Sequence, residues 1–446
     1  MATHTTITSP QKTETNRIQV IDALRGFALL GIVIVHMAEL YIAGPTPPDK
    51  QELVQGGMID NIVNGIEFFL IRGKFFAIFS MLFGLSFFIQ MEKGEQKEEN
   101  FHWRFLWRLV ILFAFGWLHG LFYRGDILTI YAMLGVPLIL FYKVPNKWLW
   151  VFIVILMAGT PQIGAWTYKH FTNPPTEQTV AIAEGDTSEE NTVAEENPSG
   201  EEAAPTDSVN AENNGPFSID WEAEEKYFSA ITEGSILEVF QQNATYGFQT
   251  KMGFQFINGS RGYLTLGLFL IGLYLGRKRF FVKFEQYKKD ILMWTWVSLG
   301  AAILIVVAVG LAMRNGPPQG DTIVQPLLMA MFDIVNTGLL TIWVLGVFLL
   351  LYMKKGPRKF FDWMAPYGRA GLTNYFMQSV IGTFIFFGWG LGMIGTIKPA
   401  LASLLALGVF AIQAFISQKW LETYRYGPLE WLWRSATYLK WQPMKK

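Results

Sequence analysis

The chain carries several apolar runs of 18 or more residues, and no other feature constrains its fold as strongly. Runs of this length cross a bilayer as helices. Lipid admits only helices and closed barrels, and the alternating pattern of barrel strands is missing. We therefore expect an all-α, polytopic transmembrane helix bundle of about ten spans. They lie at 20–42, 68–90, 104–123, 125–142, 147–166, 261–276, 290–313, 324–353, 369–393 and 397–419.

Composition agrees with a membrane protein. Hydrophobic residues make up 51% of the chain and charged residues 16%, whereas a soluble domain carries about 25% charged residues. The absence of cysteine excludes disulfides, thiol nucleophiles and Cys-ligated metal sites. This apolar composition predicts that a lipid bilayer surrounds the chain. The formal net charge is zero, and we expect no nucleic-acid partner.

Basic residues predict the orientation of the bundle. They concentrate in alternate loops, such as RKRFFVKFEQYKK at 277–289, and the positive-inside rule then places the N- and C-termini in the cytoplasm. The polar residues 1–16 lack the pattern of a cleavable signal peptide. We expect an integral, multi-pass protein of the plasma (cytoplasmic) membrane.

An acidic stretch divides the bundle. Residues 171–225 hold 15 Asp and Glu and no Lys or Arg, a composition typical of disorder. We expect residues 171–225 to form a disordered extracytoplasmic insert. The other predicted parts of the chain are a disordered cytoplasmic N-terminus (1–16), a first five-helix half (17–170), an extracytoplasmic amphipathic segment (226–260), a second five-helix half (261–423) and a cytoplasmic interfacial tail (424–446).

The first apolar run, VIDALRGFALLGIVIVH at 20–36, keeps three ionisable side chains. At 100° per residue, Asp22, Arg25 and His36 fall within about 60° of one another on the helix. His36 lies about 21 Å along the axis from Asp22. Charged groups inside lipid usually face a partner or a wet cavity. The alternative is an Asp22–Arg25 pair near the headgroups and a satisfied core histidine.

Other polar residues gather towards the same two ends. Near the outer end we expect Glu67, Arg72, Lys74, His119, Arg124, Asp126, Asp333 and Asn336; near the inner end, Arg104, Arg108, Arg369, Asn374, Tyr375, Gln378 and Ser379. Histidine suits proton transfer near neutral pH, and no spacing indicates a metal site. Asn374 and Gln378 share a helix face. The alternative for such polar side chains is a packing role, in which they form hydrogen bonds between neighbouring helices. The spacing of Gly272 and Gly276 favours close helix packing.

Five motifs together resemble one family of bacterial membrane proteins. They are DALRGFALLGIVIVH (22–36), GKFFAIFSMLFG (73–84), GDILTIYAMLG (125–135), GRAGLTNYFMQS (368–379) and YGPLEWLWRSATY (426–438). They look like the YeiB-like family, the domain of unknown function 418. Asp22, Leu24-Arg25 and His36 also resemble the start of acyltransferase-3 proteins. The resemblance extends to heparan-glucosaminide acetyltransferases, and it implies a bundle that binds acyl-CoA from the cytosol.

The resemblance implies roles for the polar residues. Acyl-CoA would be the donor, held by Arg25, Arg104, Arg108, Arg369, Asn374, Tyr375 and Gln378. His36 would be the base that activates an unknown acceptor, with His119 as its alternative or helper and Asp22 orienting Arg25. Glu67, Lys74 and Asp126 would contact that acceptor, and no metal is expected. A secondary transporter or proton-coupled carrier stays open on the same residues, as do a non-catalytic partner protein and a homodimer.

Overall fold

A computed structural model describes residues 18–96, 101–172, 219–258, 261–314 and 323–446. The predicted N-terminal segment 1–16 lies outside the described residues, and so does 173–218 of the predicted acidic insert. The last residues of that insert, 221–225, belong to a helix. In the described part of the chain the elements are helical, and the β pairing there is a bridge between Tyr424 and Lys445.

The helices that follow are numbered in chain order. They are α1 (Gln19–Ala38), α2 (Met58–Leu70), α3 (Lys74–Glu95), α4 (Phe101–Phe122), α5 (Leu128–Phe141), α6 (Asn146–Met157), α7 (Thr160–Thr172), α8 (Trp221–Glu233), α9 (Ile236–Gln242), α10 (Phe248–Gly253), α11 (Arg261–Arg277), α12 (Lys288–Ala312), α13 (Val324–Asp333), α14 (Leu340–Tyr352), α15 (Lys355–Arg369), α16 (Gly371–Phe386), α17 (Pro399–Thr423) and α18 (Pro428–Tyr438).

Shorter helical stretches join some of these elements. Two four-residue helices, Gln51–Val54 and Phe280–Lys283, accompany the 3₁₀ turns Pro48–Lys50 and Phe284–Tyr287. Three stretches have π-helical hydrogen bonding: Asn243–Gly247, Phe254–Asn258 and Ile334–Leu339. Such stretches are rare and often occur at functional sites because they rotate the residues that follow them.

Six helical segments of the described chain are long and apolar enough to cross a membrane. They are Gln19–Ala38, Met58–Glu95, Phe101–Phe122, Phe280–Ala312, Leu327–Tyr352 and Pro399–Thr423. The protein is therefore a multi-pass membrane protein. The other four predicted spans are also helical, but α5, α6, α11 and α16 have 14, 12, 17 and 16 residues. The span count of ten and the orientation of the termini stay predictions.

The first span ends earlier than predicted. Helix α1 stops at Ala38 because Leu40, Tyr41 and Ala43 have left-handed backbone, with φ of 51°, 58° and 51°. Left-handed backbone is costly for residues with a Cβ, so surrounding contacts must hold it. Arg124 supplies one contact: its Nε donates to the carbonyl of Ile42 over 2.7 Å. The turn directs the ring of Tyr41 back into the bundle, where it is fully buried.

Glycines bring two pairs of helices into close contact. A Cβ at Gly272 would lie 1.9 Å from the carbonyl oxygen of Met81, so α11 packs directly against the backbone of α3. A Cβ at Gly368 would lie 2.0 Å from the carbonyl oxygen of Asp22. Small residues allow helix backbones to approach in this way. The predicted packing role of Gly272 is thus confirmed, and Gly368 joins α15 to the start of α1.

Candidate functional site

A cavity of about 240 Å³ lies inside the bundle and extends between two polar regions. Arg25, Arg108 and Arg369 line it at the end that we call the arginine end. Its wall continues along Leu112 and Phe79 to Leu128, Tyr131 and Tyr375. Because α4 carries both Arg108 and His119, their 11-residue separation places them about 16 Å apart along the helix. The opposite end of the bundle, which carries His36 and His119, is called the histidine end.

The arginine end is held by α1 and α15. Arg25 donates to Asp22 over 3.1 Å and to Ser86 Oγ over 2.6 Å, so the pair predicted from the spacing is present. Gly368 lets the end of α15 approach α1, and this contact places Arg369 on the same cavity as Arg25. Three guanidinium groups on one cavity can bind an anionic group with charge-assisted hydrogen bonds.

The tail helix α18 also forms part of the arginine end, a role that the sequence interpretation missed. Glu430 accepts hydrogen bonds from Leu372 N at 2.6 Å and Thr373 N at 3.1 Å, which places a carboxylate at the N-terminus of α16. Trp433 lines the cavity and donates to the carbonyl of Arg108 over 3.1 Å. The tail therefore packs against the bundle beside the cavity.

At the histidine end, His119 and Asp126 form a buried pair. His119 Nδ1 lies 2.8 Å from Asp126 Oδ1, and both side chains are 0% exposed. The carboxylate also accepts from Leu128 N at 3.0 Å, Thr129 N at 2.9 Å and Thr129 Oγ1. With the proton on Nδ1, Nε2 is left as an acceptor, and it has no hydrogen-bond partner among the described residues. A carboxylate that orients a histidine in this way favours proton transfer at Nε2.

His36 lies close to this pair but has different contacts. Its ring packs against Tyr123 at 4.9 Å and Tyr41 at 5.5 Å between centroids. Its buried Nδ1 has no hydrogen-bond partner in the described part of the chain. The ring of Tyr375 lies 4.7 Å from that of His119 and 6.3 Å from that of His36. Tyr375 therefore contacts both histidine rings and lines the cavity, whereas neither histidine is among the lining residues.

Buried charge also surrounds Arg124, between α4 and α5. Arg124 Nη1 and Nη2 donate to the two carboxylate oxygens of Glu224 over 3.0 and 2.6 Å. The guanidinium lies 3.9 Å from the centre of the Tyr227 ring. Burial alone would lower the pKa of Arg124, but Tyr227 and Glu224 together raise it. This pair joins α8 to the histidine end. Helix α8 contains the last residues of the predicted acidic insert, among them Glu224, and the first residues of the predicted amphipathic segment, among them Tyr227.

A second polar cluster lies where α2 is broken from α3. The break is at Ile71–Gly73, with Gly73 at φ 85°. Lys74 is fully buried and donates to Phe68 O at 2.7 Å, Arg72 O at 3.0 Å and Asn336 Oδ1. Glu67 is 2% exposed, and neither of its carboxylate oxygens has a partner among the described residues. Ion pairs Arg72–Glu39 (2.9 Å) and Arg261–Asp333 (4.0 Å) flank it.

Three of the predicted donor-binding residues point elsewhere. Asn374 donates to Tyr367 O and Ser417 Oγ, and Gln378 donates to Leu29 O and to the hydroxyl of Tyr367. These bonds join α16 to α1, α15 and α17, which is the interhelical alternative. Arg104 lies 5.2 Å from the Tyr438 ring of the tail. None of the three lines the cavity.

The sequence interpretation also missed side chains that complete the site. Tyr131 lines the cavity, and its hydroxyl lies 2.6 Å from Ser80 Oγ. The ring of Tyr123 lies 4.9 Å from that of His36 and 6.4 Å from that of His119, and Lys251 reaches Asp126 from α10. Tyr131 lies in the motif GDILTIYAMLG, one of the five that carry the family resemblance, so the sequence offered a reason to include it. Lys251 stands in FQTKMGFQF, where nothing in the pattern indicated a buried lysine.

Comparison with known proteins agrees with the family resemblance. Residues 275–440 match the family described as "Protein of unknown function (DUF418)". Over 99% of both chains, the protein is 29% identical to the uncharacterized protein YxaH of Bacillus subtilis (strain 168). It is 25% identical to an uncharacterized 39.9 kDa protein of Bacillus acidopullulyticus, over 95% of this chain and 94% of the relative.

A shorter match adds a third relative. Over 70 residues, 16% of this chain and 18% of the relative, identity to the uncharacterized protein YeiB of Escherichia coli (strain K12) is 40%. No solved structure matches the chain. These similarities support the YeiB-like DUF418 family, and the relatives' names carry no activity.

Proposed function

We propose that this protein is an integral membrane acyltransferase. It takes an acyl group from acyl-CoA on the cytoplasmic side and passes it to a hydroxyl or amine acceptor on the outer side, such as a cell-envelope glycan, a lipid or a small molecule. This proposal places the family within the transmembrane acyltransferase superfamily, and it includes ten spans, cytoplasmic termini and the plasma membrane.

One observation carries the proposal. A cavity with three arginines at one end reaches Tyr375, and the ring of Tyr375 contacts a buried His119–Asp126 pair whose Nε2 is free of partners in the described chain. The phosphates of coenzyme A suit the arginine end, because guanidinium groups bind phosphate with charge-assisted bonds. The apolar wall of Phe79 and Leu112 suits the pantetheine and acyl chains.

The chemistry assigns the base to His119. Its Nε2 accepts the proton of the acceptor hydroxyl or amine as the new acyl–oxygen or acyl–nitrogen bond forms. The thioester carbon–sulfur bond breaks, and the proton passes on to the coenzyme A thiolate. His36 has no carboxylate partner to orient it among the described residues, so it serves as a second proton carrier. Asp126 then holds the histidine, in place of the acceptor contact expected from sequence.

Tyr375 separates the donor cavity from the two histidines. For transfer its ring must move, because it now forms both the cavity wall and the contact with His119. A partition of this kind keeps water from the thioester until the acceptor is bound.

The carrier alternative is favoured by the second polar cluster. The broken helix at Ile71–Gly73 faces the π-helical stretch Ile334–Leu339. Lys74, just after the break, donates a hydrogen bond to Asn336 in that stretch. Discontinuous helices with buried charged groups are typical of ion and substrate sites in secondary transporters. Among the described residues, the cavity lined by three arginines lies at the arginine end and not at this cluster, so this function ranks second.

Coenzyme A release tests the proposal directly. The protein is purified into nanodiscs and incubated with acetyl-CoA or palmitoyl-CoA, and free thiol is measured with Ellman's reagent. The chain has no cysteine, so the protein contributes no background. We expect release above that of empty nanodiscs, and binding of coenzyme A by calorimetry. If neither thiol release nor coenzyme A binding is observed, the proposed acyltransferase activity is refuted. Solute uptake into proteoliposomes without a donor would favour the carrier function.

A further inference from the structure

Lys251 approaches the His119–Asp126 pair from the segment that follows the acidic stretch. Its Nζ lies 3.5 Å from Asp126 Oδ2 and 3.4 Å from Thr129 Oγ1, and its side chain is 8% exposed. A Cβ at Gly120 would lie 3.5 Å from Nζ, so the glycine leaves room for the ammonium. His119, Asp126 and Lys251 thus form a buried row of three titratable groups.

The backbone around Lys251 explains how the ammonium reaches this depth. Helix α10 has six residues and lies between two π-helical stretches, Asn243–Gly247 and Phe254–Asn258. Each stretch rotates the helix relative to a regular α-helix. Asn243 anchors the segment by donating to Leu121 O over 2.8 Å, and Tyr227 donates to Asn243 Oδ1 over 3.0 Å.

Charge complementarity shows what Lys251 does there. Asp126 Oδ1 lies 2.8 Å from His119 Nδ1, and Asp126 Oδ2 lies 3.5 Å from the Lys251 ammonium, so each carboxylate oxygen has its own partner. Burial lowers the pKa of Lys251, and the Asp126 carboxylate opposes that shift. A lysine and a carboxylate buried together stabilise each other's charged form.

We propose that Lys251 is a positioning residue that keeps Asp126 ionised while leaving His119 neutral, with Nε2 ready to accept a proton. This deepens the proposed function and rests on it for its catalytic meaning. With the ammonium present, Asp126 accepts the Nδ1 proton of His119 without drawing a second proton onto the ring. The segment that carries Lys251 therefore contributes a functional side chain to the site.

In the described part of the chain, five titratable groups lie around His119 or contact its partner Asp126. They are His36 on α1, Tyr123 at the end of α4, Asp126, Tyr375 on α16 and Lys251 on α10. Within this set Lys251 is the amine whose charged form the Asp126 carboxylate stabilises. Removing it leaves Asp126 facing His119 as an uncompensated carboxylate, and the imidazolium form then gains stability.

Nitrogen-15 NMR of histidine-labelled protein in nanodiscs tests this inference without any acyl donor. The chain has five histidines, and the variant His119→Gln identifies the signal. Wild-type His119 should show a protonated Nδ1 and a bare Nε2. In Lys251→Met the pH at which His119 becomes doubly protonated should rise by about one unit or more. The acidic limb of the pH–rate profile should move to higher pH together with it.

Two matched variants show whether charge at this position is the cause. Lys226→Met removes an exposed lysine from the same segment, and Lys251→Arg keeps the charge; both should titrate like wild type. An unchanged His119 in Lys251→Met, an equal rise in Lys226→Met, or an equal rise in Lys251→Arg would each overturn the inference. If Lys251→Met is not monodisperse, Lys251→Gln takes its place with the same outcomes. A protein that shows the rise but transfers no acyl group refutes only the proposed function.

Discussion

The ring of Tyr375 lies 4.7 Å from the imidazole of His119, with an angle of 34° between the two planes. Tyr375 also lines the cavity that begins at the arginine end, and His119 forms the buried pair with Asp126. Tyr375 therefore contacts both the cavity and the buried His119–Asp126 pair. The first two predictions address the histidine end and the arginine end in turn.

His119→Gln should abolish coenzyme A release, with a loss of about 100-fold or more, because a positioned base contributes at least that much. His36→Gln should lose less, since no carboxylate among the described residues orients His36. His102→Gln, at the other end of the same helix, is the matched control and should keep wild-type activity. Activity is measured by thiol release. Wild-type activity in His119→Gln would rule out His119 as the base.

Arg369→Gln should weaken donor binding without slowing the chemical step. One lost charge-assisted hydrogen bond, about 1.5–3 kcal/mol, raises the KM for acyl-CoA roughly tenfold or more while kcat is kept. Arg358→Gln is the control, because Arg358 lies on the same helix with a 44% exposed side chain and pairs with Asp362. Steady-state kinetics separate the two constants. A KM that stays at the wild-type value would show that the arginine end does not bind the donor.

Gly272→Val should destabilise the bundle. The new side chain would collide with the carbonyl of Met81 and force α11 away from α3, at a cost of about 1–3 kcal/mol or more. Gly300→Val is the comparison, since nothing lies within 4 Å of a Cβ at Gly300. Thermal unfolding in detergent, followed by circular dichroism or tryptophan fluorescence, should show a lower midpoint only for Gly272→Val. Equal midpoints would contradict the close helix contact.

Single-cysteine labelling can establish the orientation, because the natural chain has no cysteine to remove. Gln249→Cys and Lys440→Cys replace exposed residues in α10 and after α18. In intact cells a membrane-impermeant maleimide should label Gln249→Cys, and Lys440→Cys should react only after permeabilisation. The positive-inside rule is the reason for this expectation. The reverse labelling pattern would place the arginine end outside and exclude cytosolic acyl-CoA as the donor.

Much of the fold was predictable because it depends on residues close in sequence. Apolar runs define the helices, the spacing of Asp22 and Arg25 predicts their ion pair, and Gly272 marks a close helix contact. Helix ends were less predictable. The left-handed residues after Ala38 depend on Arg124, which is bound to that turn from elsewhere in the chain.

Within the site, the sequence identified types of residue better than their roles. Arg25, Arg108 and Arg369 do line one cavity, but Asn374 and Gln378 on the same predicted face bond to neighbouring helices. Periodicity places residues on one face of a helix and leaves open which neighbour that face meets. Glu430 illustrates the same limit, since its partners on α16 are more than 50 residues away.

The sequence by itself determined the membrane class, the helical character and the alignment of Asp22, Arg25 and His36, because hydrophobicity and the 3.6-residue period are local properties. Tertiary structure alone decided that His119, Asp126 and Lys251 meet. Lys251 is 125 residues beyond Asp126, and its burial depends on two π-helical stretches and on anchors from α4 and α8. Such a meeting follows from how distant helices pack, which no local pattern encodes.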